Sequence, residues 1–140
     1  MPYAFFDHTA DIGADLEAPT REGIFEEGVR AFTDAVTPLE GVEPTETREI
    51  TVAAESLEEL MIEWLEEHLF RFEVEKWLTR RARVTLREGD DGWRLRARVE
   101  GETYASARHP VKVLIKGITF HQLTVEPRDD GWVGRVIFDI

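Results

Sequence analysis

The 140-residue chain contains no cysteine, which removes disulfides, thiolate metal sites and cysteine nucleophiles in one step. It has no apolar run near the roughly 18 residues needed to cross a bilayer, and no basic-then-apolar leader, so a soluble cytoplasmic protein with no membrane partner is expected. Positive charge is scarce: 17 Lys and Arg stand against 29 Asp and Glu, a formal net charge of -12. Nucleic acid is bound largely by cations that displace condensed counterions, so this balance disfavours a general RNA-binding surface, and no direct nucleic-acid contact is expected. The basic residues do collect locally, at Lys76, Arg80, Arg81 and Arg83 and again at Arg94, Arg96 and Arg98. That leaves a local contact with a phosphate or an acidic partner open, although a solvated sheet face is the ordinary reading. Phosphate-cradling glycine loops are absent, as is a Ser or Cys nucleophile with a matching base and orienting acid. The chain is therefore read as a non-enzyme.

What is present suits one globular domain spanning 1–140. Hydrophobic residues make up 42% and aromatic residues 10%, and a chain this long can bury roughly two thirds of its unfolded surface. Two short strands, Tyr3 to Phe6 and Ile12 to Ala18, are joined by a turn at His8 to Asp11. Thr20 caps a helix whose apolar residues Ile24, Phe25, Val29, Phe32 and Val36 repeat at helical steps, and Pro38 and Gly41 end it. Glu49 to Ala54 alternates as a strand. Ser56, with Glu59 three residues on, opens a second helix whose stripe runs Leu57, Leu60, Met61, Trp64, Leu65, His68, Leu69 and Phe72. Strands follow at Ala82 to Arg87, Trp93 to Val99, Thr103 to Ala105, Ile115 to Val125 and Trp132 to Ile140, with hairpin turns at Asp90–Gly92 and Arg128–Gly131. The pattern predicts an α+β fold: a mostly antiparallel sheet with two helices packed on one face.

Candidate chemistry lies at the extremities. The sequence closes on Val136, Ile137, Phe138, Asp139 and Ile140, an apolar strand pattern where chains are usually loose and polar. The Ile140 carboxylate beside Asp139 offers several anionic oxygens, and Asp11 completes a cluster if the first and last strands lie together. Such an all-oxygen set suits calcium, magnesium or manganese, whereas zinc favours His and Cys. The plainer alternatives stay open: Asp11 as a turn residue, Asp139 as an exposed strand acid. His8, three residues from Asp11, serves either a metal or its own turn. His68 falls on an apolar helix stripe and reads as a core residue. His109 and His121 bracket Lys112, Lys116 and Thr119, and regular alternation puts Thr119 beside His121 on one face.

The segment Asp7, His8, Thr9, Ala10, Asp11, Ile12, Gly13, the run Lys116, Gly117, Ile118, Thr119, Phe120, His121 and the final Phe138, Asp139, Ile140 together resemble the archease family. The helix stretch Leu60 to Leu65 is similar as well, and the likeness runs end to end. The resemblance implies a non-catalytic helper of the tRNA-splicing RNA ligase, which joins a 2′,3′-cyclic phosphate or 3′-phosphate end to a 5′-hydroxyl. The helper promotes guanylylation of the ligase and so its multiple turnover in tRNA splicing and RNA repair. On matching positions Asp11, Asp139 and Ile140 would hold a divalent ion, calcium first and magnesium or manganese next, Ile140 through main-chain oxygens. Lys116, Thr119 and His121 would lie near that ion. The chain departs from the usual family wording at Gly117, where alanine is common, and at Phe120, where tyrosine is common. The rival expectations are a chaperone-like binding module with a structural ion and, far less supported, a metal-dependent phosphoesterase built on His8, Asp11 and His121.

Overall fold

The computed structural model describes residues 2–8 and 11–140, with backbone alone for Asp7 and His8. Thr9 and Ala10, in the middle of the turn expected between the first two strands, lie outside the described residues. The described elements run β1 (Tyr3–His8), β2 (Asp11–Ala18), α1 (Arg21–Val36), a single 3₁₀ turn (Leu39–Gly41), β3 (Glu46–Ala54), α2 (Leu57–Glu75), β4 (Trp77–Gly89), β5 (Gly92–Thr103), β6 (Gly117–Arg128) and β7 (Gly131–Asp139).

Both helices start where their caps dictate. The Thr20 hydroxyl accepts the Gly23 N–H at 3.0 Å, and the Ser56 hydroxyl accepts the Glu59 N–H at 3.1 Å, each satisfying an amide that the first helical turn leaves open. Helix α1 stops at Thr37, whose N–H still reaches the Thr33 carbonyl before Pro38 blocks a further turn. Helix α2 runs three residues past Phe72 and ends on Lys76, which takes the left-handed conformation (φ 59°) and returns its N–H to Arg71 and Phe72.

The fold is α+β, and its strands divide between two antiparallel sheets, one ordered β1-β2-β7-β6 and the other β3-β5-β4. Helix α1 packs on β2 and β7 of the first sheet and β4 of the second, while α2 packs on β6 of the first and on all three strands of the second. A single core joins them, built on Phe25, Trp64, Trp77 and Phe138, each under 2% exposed. Burying a side chain of that size is worth about 1.5–3 kcal/mol relative to leaving it in water. The Trp64 indole donates to the Phe25 carbonyl at 2.8 Å and so ties the two helices together.

His68 is a core residue, as its place on the stripe suggests. Its Nδ1 lies 3.1 Å from the Trp64 carbonyl, and its Nε2 lies 3.1 Å from the Thr79 hydroxyl, which also accepts the Trp77 indole N–H at 2.7 Å. Only one proton arrangement satisfies every group: neutral imidazole donating from Nδ1 and accepting at Nε2. Burial pushes its pKa down to about 4 against the opposing pull of the Trp64 carbonyl.

Several strands differ from expectation, three of them for clear physical reasons. Strand β4 begins at Trp77 rather than Ala82, because Trp77, Leu78 and Thr79 are buried in succession and show no alternation; a bulge at Arg80 restores it afterwards. Strand β5 already includes Thr103, and no strand follows until Gly117. In β6 the register breaks between Thr119 and Thr124, with Gln122 at φ 55°, so regular alternation across Thr119 and His121 does not hold.

Candidate metal centre

The first sheet brings the two ends of the sequence into adjacent strands. Across it one row of paired residues reads His8, Asp11, Asp139, Gly117, one from each strand in sheet order. Paired residues of an antiparallel ladder project to the same side with their Cα atoms about 4.5–5.5 Å apart. Asp11 and Asp139 therefore share the face opposite the one on which Ala14, Leu16, Val136 and Phe138 enter the core. Asp139 is exposed and Asp11 half-buried, so both carboxylates retain access to water.

The next row fixes this corner in place. It holds Phe6, Gly13, Ile137 and Thr119, and a Cβ placed on Gly13 would stand 2.1 Å from the Phe6 ring. Glycine is thus required for the ring to lie across β2. Above that ring sits Arg135, its guanidinium carbon 4.4 Å from the ring centre. Arg135 binds both carboxylate oxygens of Asp15, at 2.7 and 3.1 Å, and reaches Gln122 in the β6 bulge at 3.2 Å. Farther along the same face a depression of about 630 Å³ opens, lined in part by Asp15, Gln122, Thr124 and Arg135. On the core side of Ile12, a smaller cleft of about 350 Å³ is lined by Phe5, Phe6, Ile12, Ala35, Lys112 and Val113.

Of the residues singled out by sequence, Asp11 and Asp139 meet as register partners. Ile140 follows directly, half-buried against the core. The Lys116 N–H donates to the Asp139 carbonyl at 2.7 Å, while its side chain is exposed. Thr119 lies one row away, its hydroxyl accepting the His121 N–H at 3.2 Å, and His121 is exposed in the bulge. The His8 backbone pairs with Asp11. A Cβ at Gly117 would meet open space, and the Phe120 ring is 66% exposed, so neither departure from the family wording strains this chain.

Among the described residues no three His, Cys, Asp or Glu side chains stand close enough to hold a metal ion. A cation at this corner would therefore be met by two carboxylates, main-chain oxygens and water. Such a set fits hard ions, since calcium accepts carboxylates, carbonyls and waters, and magnesium usually keeps several waters.

His109 belongs to a different cluster. It is 1% exposed; its Nδ1 accepts the Ala105 N–H at 2.9 Å, which leaves Nε2–H to donate to Glu102, also at 2.9 Å. Glu102 further accepts from the Glu43 N–H at 2.8 Å and from Arg108. Burial alone would raise the Glu102 pKa, but these hydrogen bonds together hold it below the ordinary carboxylate range. The cluster pins the strandless stretch after β5. The Phe6, Gly13, Asp15 and Arg135 frame was not singled out from sequence; its one signal is the alternation of Asp11, Gly13, Asp15 and Glu17 down the polar side of β2.

The model of the Archease protein family matches residues 3–140. A protein archease of Methanopyrus kandleri is 36% identical over 140 residues, all of both chains, and one of Methanosarcina barkeri is 34% identical over 99% of this chain and 95% of its own length. The solution structure of protein 1598 of Methanobacterium thermoautotrophicum superposes with a TM-score of 0.84 at 28% identity, covering 99% of both chains. A Thermotoga maritima crystal structure, described as an archease and possible chaperone, shares the fold at a TM-score of 0.58 and 20% identity, over 96% of this chain and 94% of its own. A whole-chain family match and relatives above 30% identity leave one assignment: the chain belongs to the archease family.

Proposed function

We propose that this archease activates the tRNA-splicing RNA ligase without itself catalysing the joining, by promoting the ligase's guanylylation. What supports the reading, beside family membership, is the pairing of Asp11 with Asp139 on an exposed sheet corner, with Ile140 next in the chain, whose main-chain oxygens would complete the set. These residues would hold a divalent ion, calcium first and magnesium or manganese next. A bound ion supplies a hard positive charge to an otherwise acidic tip. The chain's own part is to fix the two carboxylates side by side and to present the corner to the partner, with Lys116, Thr119 and His121 at its margin and Phe120 exposed beside it. The test is loading of labelled GMP from GTP onto the cognate ligase, with and without this protein, across a series of divalent ions. Faster loading and repeated turnover are expected; unchanged loading with every ion refutes the reading.

A second reading, a chaperone-like protein-binding module, draws on Phe70 and Val74, 52% and 63% exposed one turn apart on α2. It wins if the protein suppresses aggregation of unrelated clients at equal molar amounts and leaves GMP loading unchanged.

A further inference from the structure

The second sheet carries six of the chain's fourteen arginines on its outward face. Register places Arg81, Glu100 and Thr47 in one row, Arg83, Arg98 and Glu49 in the next, Thr85, Arg96 and Thr51 in the third, and Arg87, Arg94 and Ala53 in the fourth. All are exposed except Glu100, which is half-buried, while the alternate residues Ile50, Val84, Leu95, Ala97 and Val99 enter the core. Six arginines thus meet two glutamates on a platform about 20 Å long and about 10 Å wide. The acidic balance of the whole chain conceals this segregation.

Two features set the face apart from an ordinary solvated surface. Arg83 stands opposite Arg98, and Arg87 opposite Arg94, although like charges directly across a ladder destabilise it. Among the described residues only Arg81 has an ion-pair partner here, Glu100 at 2.8 Å. Protection of exposed sheet edges would explain charges on β4, but Arg94, Arg96 and Arg98 lie on β5, the central strand. The Glu100 carboxyl is held below its ordinary range, first by the Arg81 hydrogen bond, with Arg98 and Arg83 adding to it, so the face as a whole favours negative charge.

We infer that this face docks the phosphodiester backbone of double-stranded RNA. Arginine presents a planar fork that matches phosphate, and the hydroxyls of Thr47, Thr51 and Thr85 interleaved among the arginines are phosphate donors as well. The face has no aromatic side chain on which an unpaired base could stack, which turns it toward a duplex. It also lacks the aromatic or aliphatic anchors of a protein interface and the apolar residues that enter a lipid surface. The choice of RNA over DNA rests on the ligase-helper reading above.

The test is fluorescence anisotropy of the intact protein, without ligase, against a short blunt RNA duplex, the matching DNA duplex and anionic vesicles. With about four phosphates engaged, affinity should fall roughly a hundredfold between about 50 and about 200 mM salt. The triple variant Arg83→Gln, Arg96→Gln, Arg98→Gln should lower the salt slope by about three and all but abolish binding. Arg128→Gln, on the other sheet, should leave binding unchanged, and a thermal melt of the triple variant no lower than wild type keeps a folding defect out of the comparison. Absence of RNA binding at low salt, or unchanged binding by a folded triple variant, overturns the docking face. Equal or tighter binding to DNA or to vesicles overturns the assignment to RNA. Asp11→Ala should lose ligase stimulation yet still bind the duplex; a wild-type protein that binds the duplex but leaves GMP loading unchanged strikes the ligase reading and leaves the face standing.

Discussion

Asp11 and Asp139, 128 positions apart in the chain, are direct register partners on neighbouring strands and present their carboxylates to the same exposed side of the sheet. Two like charges so placed repel by about 0.2–1 kcal/mol when nothing lies between them. In a chelated solution Asp139→Ala should therefore melt at or slightly above the wild-type temperature, and Asp11→Ala should stay folded. Adding calcium should raise the wild-type midpoint, by about 2.7 kcal/mol of stability at a hundred times the dissociation constant, and should leave both variants unmoved. Both variants should also fail to stimulate GMP loading. Equal calcium stabilisation of wild type and variants, followed by calorimetry, removes Asp11 and Asp139 from the ligand set.

His68 makes the domain acid-sensitive in a defined window. Its folded pKa of about 4 lies below the unfolded value of 6.5, so the unfolded chain takes up a proton that the native core refuses. This contribution to stability is complete above about pH 6.5 and drains away as pH falls toward about 4, a loss of about 3 kcal/mol. Urea midpoints measured over that range should decline for wild type, and His68→Gln, although less stable at neutral pH, should decline less. The Glu102 contribution has the opposite origin, a lowered carboxylate pKa, and is lost only as pH falls below its ordinary value of 4.5. The two windows are therefore separable along one titration.

Gly13 is a packing requirement of the Asp11–Asp139 corner. Gly13→Ala would drive its methyl into the Phe6 ring, and the ring is held from above by Arg135. A cost of about 1–3 kcal/mol is expected, as for other overpacked sites, together with weaker calcium binding because Asp11 is two residues away on the same strand. The double variant Gly13→Ala, Phe6→Leu should recover part of both. Differential scanning calorimetry with and without calcium measures the two effects together.

Local chemistry explains which parts were legible in advance. The capped helices and the hairpins at Asp90–Gly92 and Arg128–Gly131 are written in neighbouring residues, and the structure keeps them. Long-range features were not. Trp77 to Thr79 is a strand buried on both sides, so it has no period to read, and the bulge between Thr119 and Thr124 inserts residues that no pattern announces. His109 brackets the Lys112 to Thr119 stretch with His121 in sequence, yet its partner is Glu102, a pairing set by how the stretch after β5 folds back. Lys76 and Arg80, grouped in sequence with the arginines, leave them: Lys76 caps α2, and Arg80 donates to the Val42 carbonyl at 2.9 Å. The meeting of Asp11 and Asp139 was readable only on the supposition that the first and last strands pair.

Strand β7 comes last in chain order, yet it is inserted between β2 and β6. A growing polypeptide holds every other element before the piece that must separate its two neighbours exists. Until β7 arrives, β2 and β6 have open edges, and Phe138 is missing from the core. Closure at such sequence separation is slow in two-state folders, so assembly of the first sheet should be the late step in folding, and carboxylate pairing at the corner would report that the whole domain has been made.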